Sequence, residues 1–193
     1  CCGSKTRTYS RKTSDGRTVE TLHCDNPQCD SQITRRFVHF ASKKAMNIEG
    51  LSEATLEKFL NLGYLHSFQD IYHLEEHREE IVALDGYGEK SFGRLWESIN
   101  ASRRTSFVRY LVSMDIPMIG RTKSRILGTV FSGNLTAFEQ AAVGDYDFTQ
   151  LEDFGEILNH NIHSWFADEA NLDLWKNLQN EFTFEQRKEE PIM

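Results

Sequence analysis

The sequence predicts a mainly α-helical protein led by a small hairpin bracketed by cysteines. Three observations predict it. All four cysteines fall within the first 29 of 193 residues. Beyond them, apolar residues recur three and four positions apart, the spacing that gathers them on one face of a helix. A five-residue pattern, apolar-x-Gly-apolar-Gly, also returns four times. Its copies are Ile48-Glu49-Gly50-Leu51-Ser52, Leu84-Asp85-Gly86-Tyr87-Gly88, Ile116-Pro117-Met118-Ile119-Gly120 and Leu151-Glu152-Asp153-Phe154-Gly155, each opening a helix-like run. Their third residues are 36, 32 and 35 positions apart. A period of this size marks stacked supersecondary units, each too small to bury its apolar face alone.

Residues 1–34 are read as a first domain. Cys1, Cys2 and the pair Cys24-x4-Cys29 bracket a polar stretch with a turn at Ser14-Asp15-Gly16 and strand-like alternation over Thr18–His23. Such a hairpin is too polar to hold itself together by burial. Thiolates at its ends could close it around a structural zinc ion, whose binding supplies folding free energy. Four cysteines packed into one short segment fit a metal site better than a disulfide framework. The expected ligands are Cys1, Cys2, Cys24 and Cys29. A tetrahedral site normally draws its first pair from Cys-x-x-Cys, however, and Cys1 and Cys2 are adjacent. Either residues are missing between them or Cys1 is not a ligand, with His23 and His39 as possible substitutes.

Residues 35–182 form the second domain. Ile33, Phe37, Phe40, Ala41, Ala45 and Met46 suggest one amphipathic helix over 31–46. Ser52 suits the cap of a helix reaching Leu60, because its hydroxyl can accept from a free N–H of the first turn. Short helices are expected over Phe68–Leu74 and Arg78–Leu84. Longer ones follow over Glu89–Arg103, Ser106–Met114, Arg121–Phe131, Leu135–Ala142, Glu156–Phe166 and Asn171–Phe182. Residues 183–193, charged and containing Pro191, read as a tail or linker.

Charge narrows the function. The net charge is −7, which argues against a protein that grips nucleic acid with its whole surface. Yet residues 1–46 carry nine Lys and Arg against four acids, and a second basic island runs from Leu84 to Leu127. No apolar run is long enough to cross a bilayer and nothing resembles a secretory signal. No Ser-His-acid arrangement, phosphate loop or carboxylate cluster at metal spacing supports catalysis.

A turn with glycines on either side of an apolar residue, placed at a helix entrance, presents outward N–H groups that suit a phosphate. A pair of helix-hairpin-helix units of this kind could straddle a duplex and hold its backbone without reading sequence. The candidate contacts are Gly50, Gly86, Gly88, Lys90, Arg94, Gly120, Arg121, Thr122 and Lys123. The second hairpin, with both glycines and Lys90 in the first helical turn, is expected to dominate. The third assists, and the fourth, with Glu152, Asp153 and Glu156, is expected to be structural. Two other classes stay open. Such repeats also serve repair nucleases and branch-migration proteins as DNA-binding or protein-docking modules, and the acidic total is compatible with a structural adaptor.

The order of these parts closely resembles the C-terminal half of bacterial NAD-dependent DNA ligases. The resemblance rests most on His39-Phe40-Ala41-Ser42-Lys43-Lys44-Ala45-Met46-Asn47-Ile48-Glu49-Gly50-Leu51. Cys24-x4-Cys29, Leu84–Ser91 and Ile116–Gly120 add to it. It implies a zinc finger followed by four helix-hairpin-helix repeats that clamp nicked duplex DNA, beside other ligase domains, in the cytoplasm and nucleoid of a bacterium. NAD and Mg would serve the parent enzyme and not this fragment, which is expected to be inactive alone. The departures from the family pattern are Cys1 and the glycine positions held by Ser52, Met118 and Asp153.

Overall fold

Thr6–Lys12 (β1) and Thr18–Cys24 (β2) pair antiparallel, with Thr6 opposite Cys24 and Lys12 opposite Thr18. These strands come from a computed structural model that describes residues 2–12, 16–24, 26 and 29–185. Cys1, most of the expected turn at Ser14-Asp15 and residues 186–193 lie outside the described residues. The β1–β2 register carries the segment before β1 back to the end of β2. The Cys29 N–H donates to the Asn26 carbonyl (3.1 Å) directly before the first helix.

Beyond this hairpin the protein is mainly helical, as its 3.6-residue periodicity predicts. Helix α1 spans Asp30–Ala41 and turns Phe37, Phe40 and Ala41 inward. The single helix expected over 31–46 stops at Ala41 because Ser42 is extended (ψ 158°) and its N–H bonds the His39 carbonyl. Ala45 and Met46 are still buried, but by a tight turn in which the Met46 N–H reaches the Phe40 carbonyl (3.0 Å).

Then come α2 (Glu53–Asn61), α3 (Phe68–Ile71), α4 (Arg78–Val82), α5 (Glu89–Ser102), α6 (Phe107–Ser113), α7 (Arg121–Val130), α8 (Leu135–Val143), α9 (Glu156–Ala167) and α10 (Glu169–Leu178). The caps explain several boundaries. Ser52 Oγ accepts from the Thr55 N–H, as its side chain predicts. Helix α10 starts two residues earlier than expected because the Asp168 carboxylate accepts from the N–H groups of Ala170 and Asn171.

One continuous apolar core runs from Phe37 to Leu178. Trp175 is fully buried at its C-terminal end, against the rings of Tyr110, Phe138 and Phe166 at 4.9, 5.8 and 5.2 Å. Arg104–Thr105 (β3) pairs in parallel with Thr183–Phe184 (β4). The first residues of the expected tail are therefore part of the fold, with Phe184 packed edge-on against Tyr110. Glu181, just before β4, accepts from Arg103 (2.7 Å) and pairs with His73 (2.9 Å). Among the described residues no helix is long and apolar enough to cross a membrane.

Candidate nucleic-acid interface and metal centre

The four recurrent five-residue segments adopt one backbone shape. The third residue of each has positive φ: Gly50 at 95°, Gly86 at 81°, Met118 at 64° and Asp153 at 62°. In three of them the fourth residue's N–H donates to the first residue's carbonyl, Tyr87 to Leu84, Ile119 to Ile116 and Phe154 to Leu151, at 3.0–3.1 Å. These are turns that require a left-handed third residue, and Pro117 sits at the second position, where such turns favour proline. The fifth residue is extended and caps the next helix in every copy: Ser52 for α2, Gly88 for α5, Gly120 for α7 and Gly155 for α9. Met118 and Asp153 thus keep the turn without glycine.

The copies are not equivalent to one another; they fall into two pairs, the first with the second and the third with the fourth. Asn47 and Asp115, directly before the first and third turns, both have positive φ (55° and 53°), and no residue does so before the second and fourth. Within each pair the members reach across to one another. Lys58 of α2 extends to the second turn, donating to the Asp85 carbonyl and lying over the Tyr87 ring. Lys123 of α7 does the same at the fourth turn, on the Asp153 carbonyl and the Phe154 ring. In return, helix α5 accepts the Glu49 N–H of the first turn on Ser98 Oγ (2.7 Å). Helix α9 donates Asn161 Nδ2 to the Pro117 carbonyl of the third (2.9 Å). None of these four hydrogen bonds was legible in the sequence, since each joins residues 27 to 49 positions apart.

The expected DNA-facing residues are distributed unevenly. Gly86, Lys90 and Arg94 are exposed at the second turn and along α5. Gly88 gives its N–H to Ser91 Oγ (3.0 Å). The amides that follow it lie in the first turn of α5, where N–H groups have no partner within the helix. Gly120, Arg121 and Thr122 are all exposed at the start of α7. Gly50 is brought beside Arg94 in a shallow groove that also contains Glu49 and Glu97. A Cβ at Gly50 would stand 3.3 Å from Leu95 Cδ1, so the first turn lies close against α5. Lys123 is drawn away, held by the fourth turn with its side chain only 22% exposed.

The second glycine of the pattern is informative in another way. Gly88 and Gly120 are extended, at φ −175° and −87°, and a Cβ built on either meets nothing within 4 Å. The fold places no demand for glycine there, as Ser52 in the first copy illustrates. What glycine does at these two positions is leave the main chain without a side chain over it, half-buried at Gly88 and exposed at Gly120.

Three thiols gather at the open end of the β1–β2 hairpin. The sulfur atoms of Cys2, Cys24 and Cys29 lie within 4.8 Å of one another, with Cys2 and Cys24 at 3.4 Å. Thiolates about 2.3 Å from a tetrahedral ion are about 3.8 Å apart, so the three fit a metal site. Hydrogen bonds from the Ser4 side chain and backbone, then from Cys24 and Asn26, bring the Cys2 thiol down to about 6, favouring the thiolate that a metal needs. Cys1, the fourth expected ligand, lies outside the described residues, as does the His23 side chain. His39 does not join the cluster: its Nε2 donates to the Val112 carbonyl (2.7 Å), tying α1 to α6.

No family model matches the sequence. Individual proteins do. A DNA ligase of Ruminiclostridium cellulolyticum is 36% identical over 168 residues, which is 87% of this chain and 25% of that protein. A DNA ligase of Spiroplasma citri is 38% identical over 149 residues, 77% of the chain and 22% of the relative. One from Acinetobacter baylyi is 35% identical over 150 residues, 78% and 22% respectively. The chain belongs with the bacterial DNA ligases. It spans about a quarter of the length of these relatives. Each ligase match takes in at least three quarters of this chain, so it must reach into the helical part that holds the turns.

Proposed function

We propose that this chain is a DNA-holding segment of a bacterial ligase that seals nicks with NAD. Its helix-hairpin-helix turns grip the backbone of nicked duplex without reading sequence, and a structural zinc closes its N-terminal hairpin. The observation that carries the reading is the open space beside the main chain at Gly88 and Gly120, where no side chain stands. Each lies at a helix entrance beside exposed cations, where the fold would accept a side chain. Backbone N–H groups and a helix N-terminus favour an anion, and a flat approach suits a phosphodiester.

On this reading the second turn, with Lys90 and Arg94, is the principal grip, and Gly120, Arg121 and Thr122 form the next. The first and fourth turns are mainly structural, because one rests on α5 and the other holds Lys123. Zinc is the metal the thiol cluster suits best. NAD and Mg belong to other parts of such an enzyme, and the setting is the bacterial cytoplasm. Fluorescence anisotropy with nicked duplex across a salt series tests the proposal. Binding should weaken as salt rises, and Lys90→Ala with Arg94→Ala should weaken it at least about fivefold. No binding at low salt, or binding indifferent to this double change, overturns it. Metal analysis of the purified chain should return one equivalent of zinc; less than half an equivalent counts against the metal site.

A further inference from the structure

A pocket of about 220 Å³ lies between the turn that follows α1 and the helices α6 and α7. Five cations line it: Lys43 and Lys44 from the turn, Arg109 from α6, and Arg121 and Arg125 from α7. Ser106 and Val108 complete the lining, which contains no carboxylate. None of the five cations forms an ion pair among the described residues. The gathering is built into the fold. Arg109 donates to the carbonyls of Ala45 (2.7 Å) and Lys43 (3.4 Å), pinning the turn that presents Lys43 and Lys44. Arg121 and Arg125 are four residues apart on α7, so they lie on one face of that helix.

Like charges held this close repel, and folding alone does not call for them. They become favourable when an anion enters. Phosphate suits the set because guanidinium forks bond its oxygens in pairs while ammonium groups add point charge. We propose that this pocket is a second phosphate-binding locus, taking a backbone phosphate of the same duplex that meets the third turn. It rests on the DNA-holding reading above. Arg121 links the two, being both the first residue of α7 after that turn and a member of the pocket. One strand can therefore engage the third turn's amides and the pocket together.

The test replaces Lys43, Lys44 and Arg125 by Ala in the full 193-residue chain. Their side chains make no hydrogen bonds among the described residues, and Arg109 is left to hold the turn. Circular dichroism should show an unchanged melt; should the triple variant not fold, Lys44→Glu alone carries the same test. With duplex DNA, affinity at low salt should fall about tenfold. The slope of log affinity against log salt should shrink by about one to two, close to 0.9 for each phosphate that is no longer neutralised. Unchanged affinity and slope in the triple variant, when Lys90→Ala with Arg94→Ala weakens binding, overturns the pocket and leaves the clamp standing. Inorganic pyrophosphate, titrated without DNA, separates the two ideas. If the parent chain binds pyrophosphate and the triple variant does not, while duplex binds neither, the anion site stands and the DNA reading falls. If pyrophosphate and duplex both fail to bind the parent chain, the pocket proposal falls.

Discussion

Gly86 and Gly88 are two residues apart and do different things. Gly86 has φ 81° with open space around it, so Gly86→Ala would meet backbone strain without a clash. Thermal denaturation should show a loss of about 1 kcal/mol. Gly88→Ala should leave the melt within about 0.5 kcal/mol, yet weaken duplex binding, because its backbone is extended and only an approaching ligand would meet the methyl group. Equal effects of the two changes on stability would contradict this division. A third residue, Glu181, sets a pH limit. Desolvation is the largest influence on its carboxyl and acts upward, but hydrogen bonds from Arg103 and His73, with their charges, together hold it below the usual carboxylate range. Its contribution is therefore present at neutral pH and lost as the pH falls through the usual carboxylate range toward its own lowered value. Glu181→Gln should cost about 2 kcal/mol at pH 7 and flatten the loss of melting temperature on acidification.

At the level of elements, the helices were largely legible in the sequence because their apolar spacing and caps are local. Ser52 accepts an N–H of the following turn as its side chain predicts, and Ser106 and Asn134 do the same for α6 and α8. The exceptions have long-range causes. Helix α1 gives way at Ser42, and residues 183–184 form a strand only because β3 lies waiting some 80 residues earlier in the chain. Of the candidate site, the turns and their period could be read in advance. Lys123 could not, since its binding to the fourth turn depends on how α7 meets that turn. The same holds for Lys43, Lys44, Arg109 and Arg125, which looked like parts of two separate basic stretches until packing joined them. Element packing is itself testable at Tyr110, whose buried hydroxyl donates to the Trp175 carbonyl at 2.6 Å and ties α6 to α10. Tyr110→Phe should lower stability by about 1 kcal/mol in urea denaturation through loss of this bond, the carbonyl keeping the Gln179 Nε2 donor at 2.9 Å.

For the molecule as a whole, the continuous apolar core belongs to the helices and not to the hairpin. The continuous core begins at Phe37, beyond the last cysteine, and Val19 and Leu22 of the hairpin are exposed. Chelation of the proposed metal should therefore raise hydrogen exchange throughout β1 and β2 while leaving α5 to α10 protected; loss of protection across both would show that the core depends on it. The short β3–β4 pair has a mechanical consequence. Two of its hydrogen bonds run from the Thr183 N–H to the Arg103 carbonyl and from the Glu185 N–H to the Thr105 carbonyl. A pull applied at Glu185 along the strand would load both bonds at once, as shear, where a transverse pull would peel them apart one at a time. Arg103, which holds Glu181 on the same seam, directly follows the last residue of α5. Tension at that end of the chain would thus be delivered to the helix bearing Lys90 and Arg94, making β4 a tether through which load could reach the proposed grip on DNA.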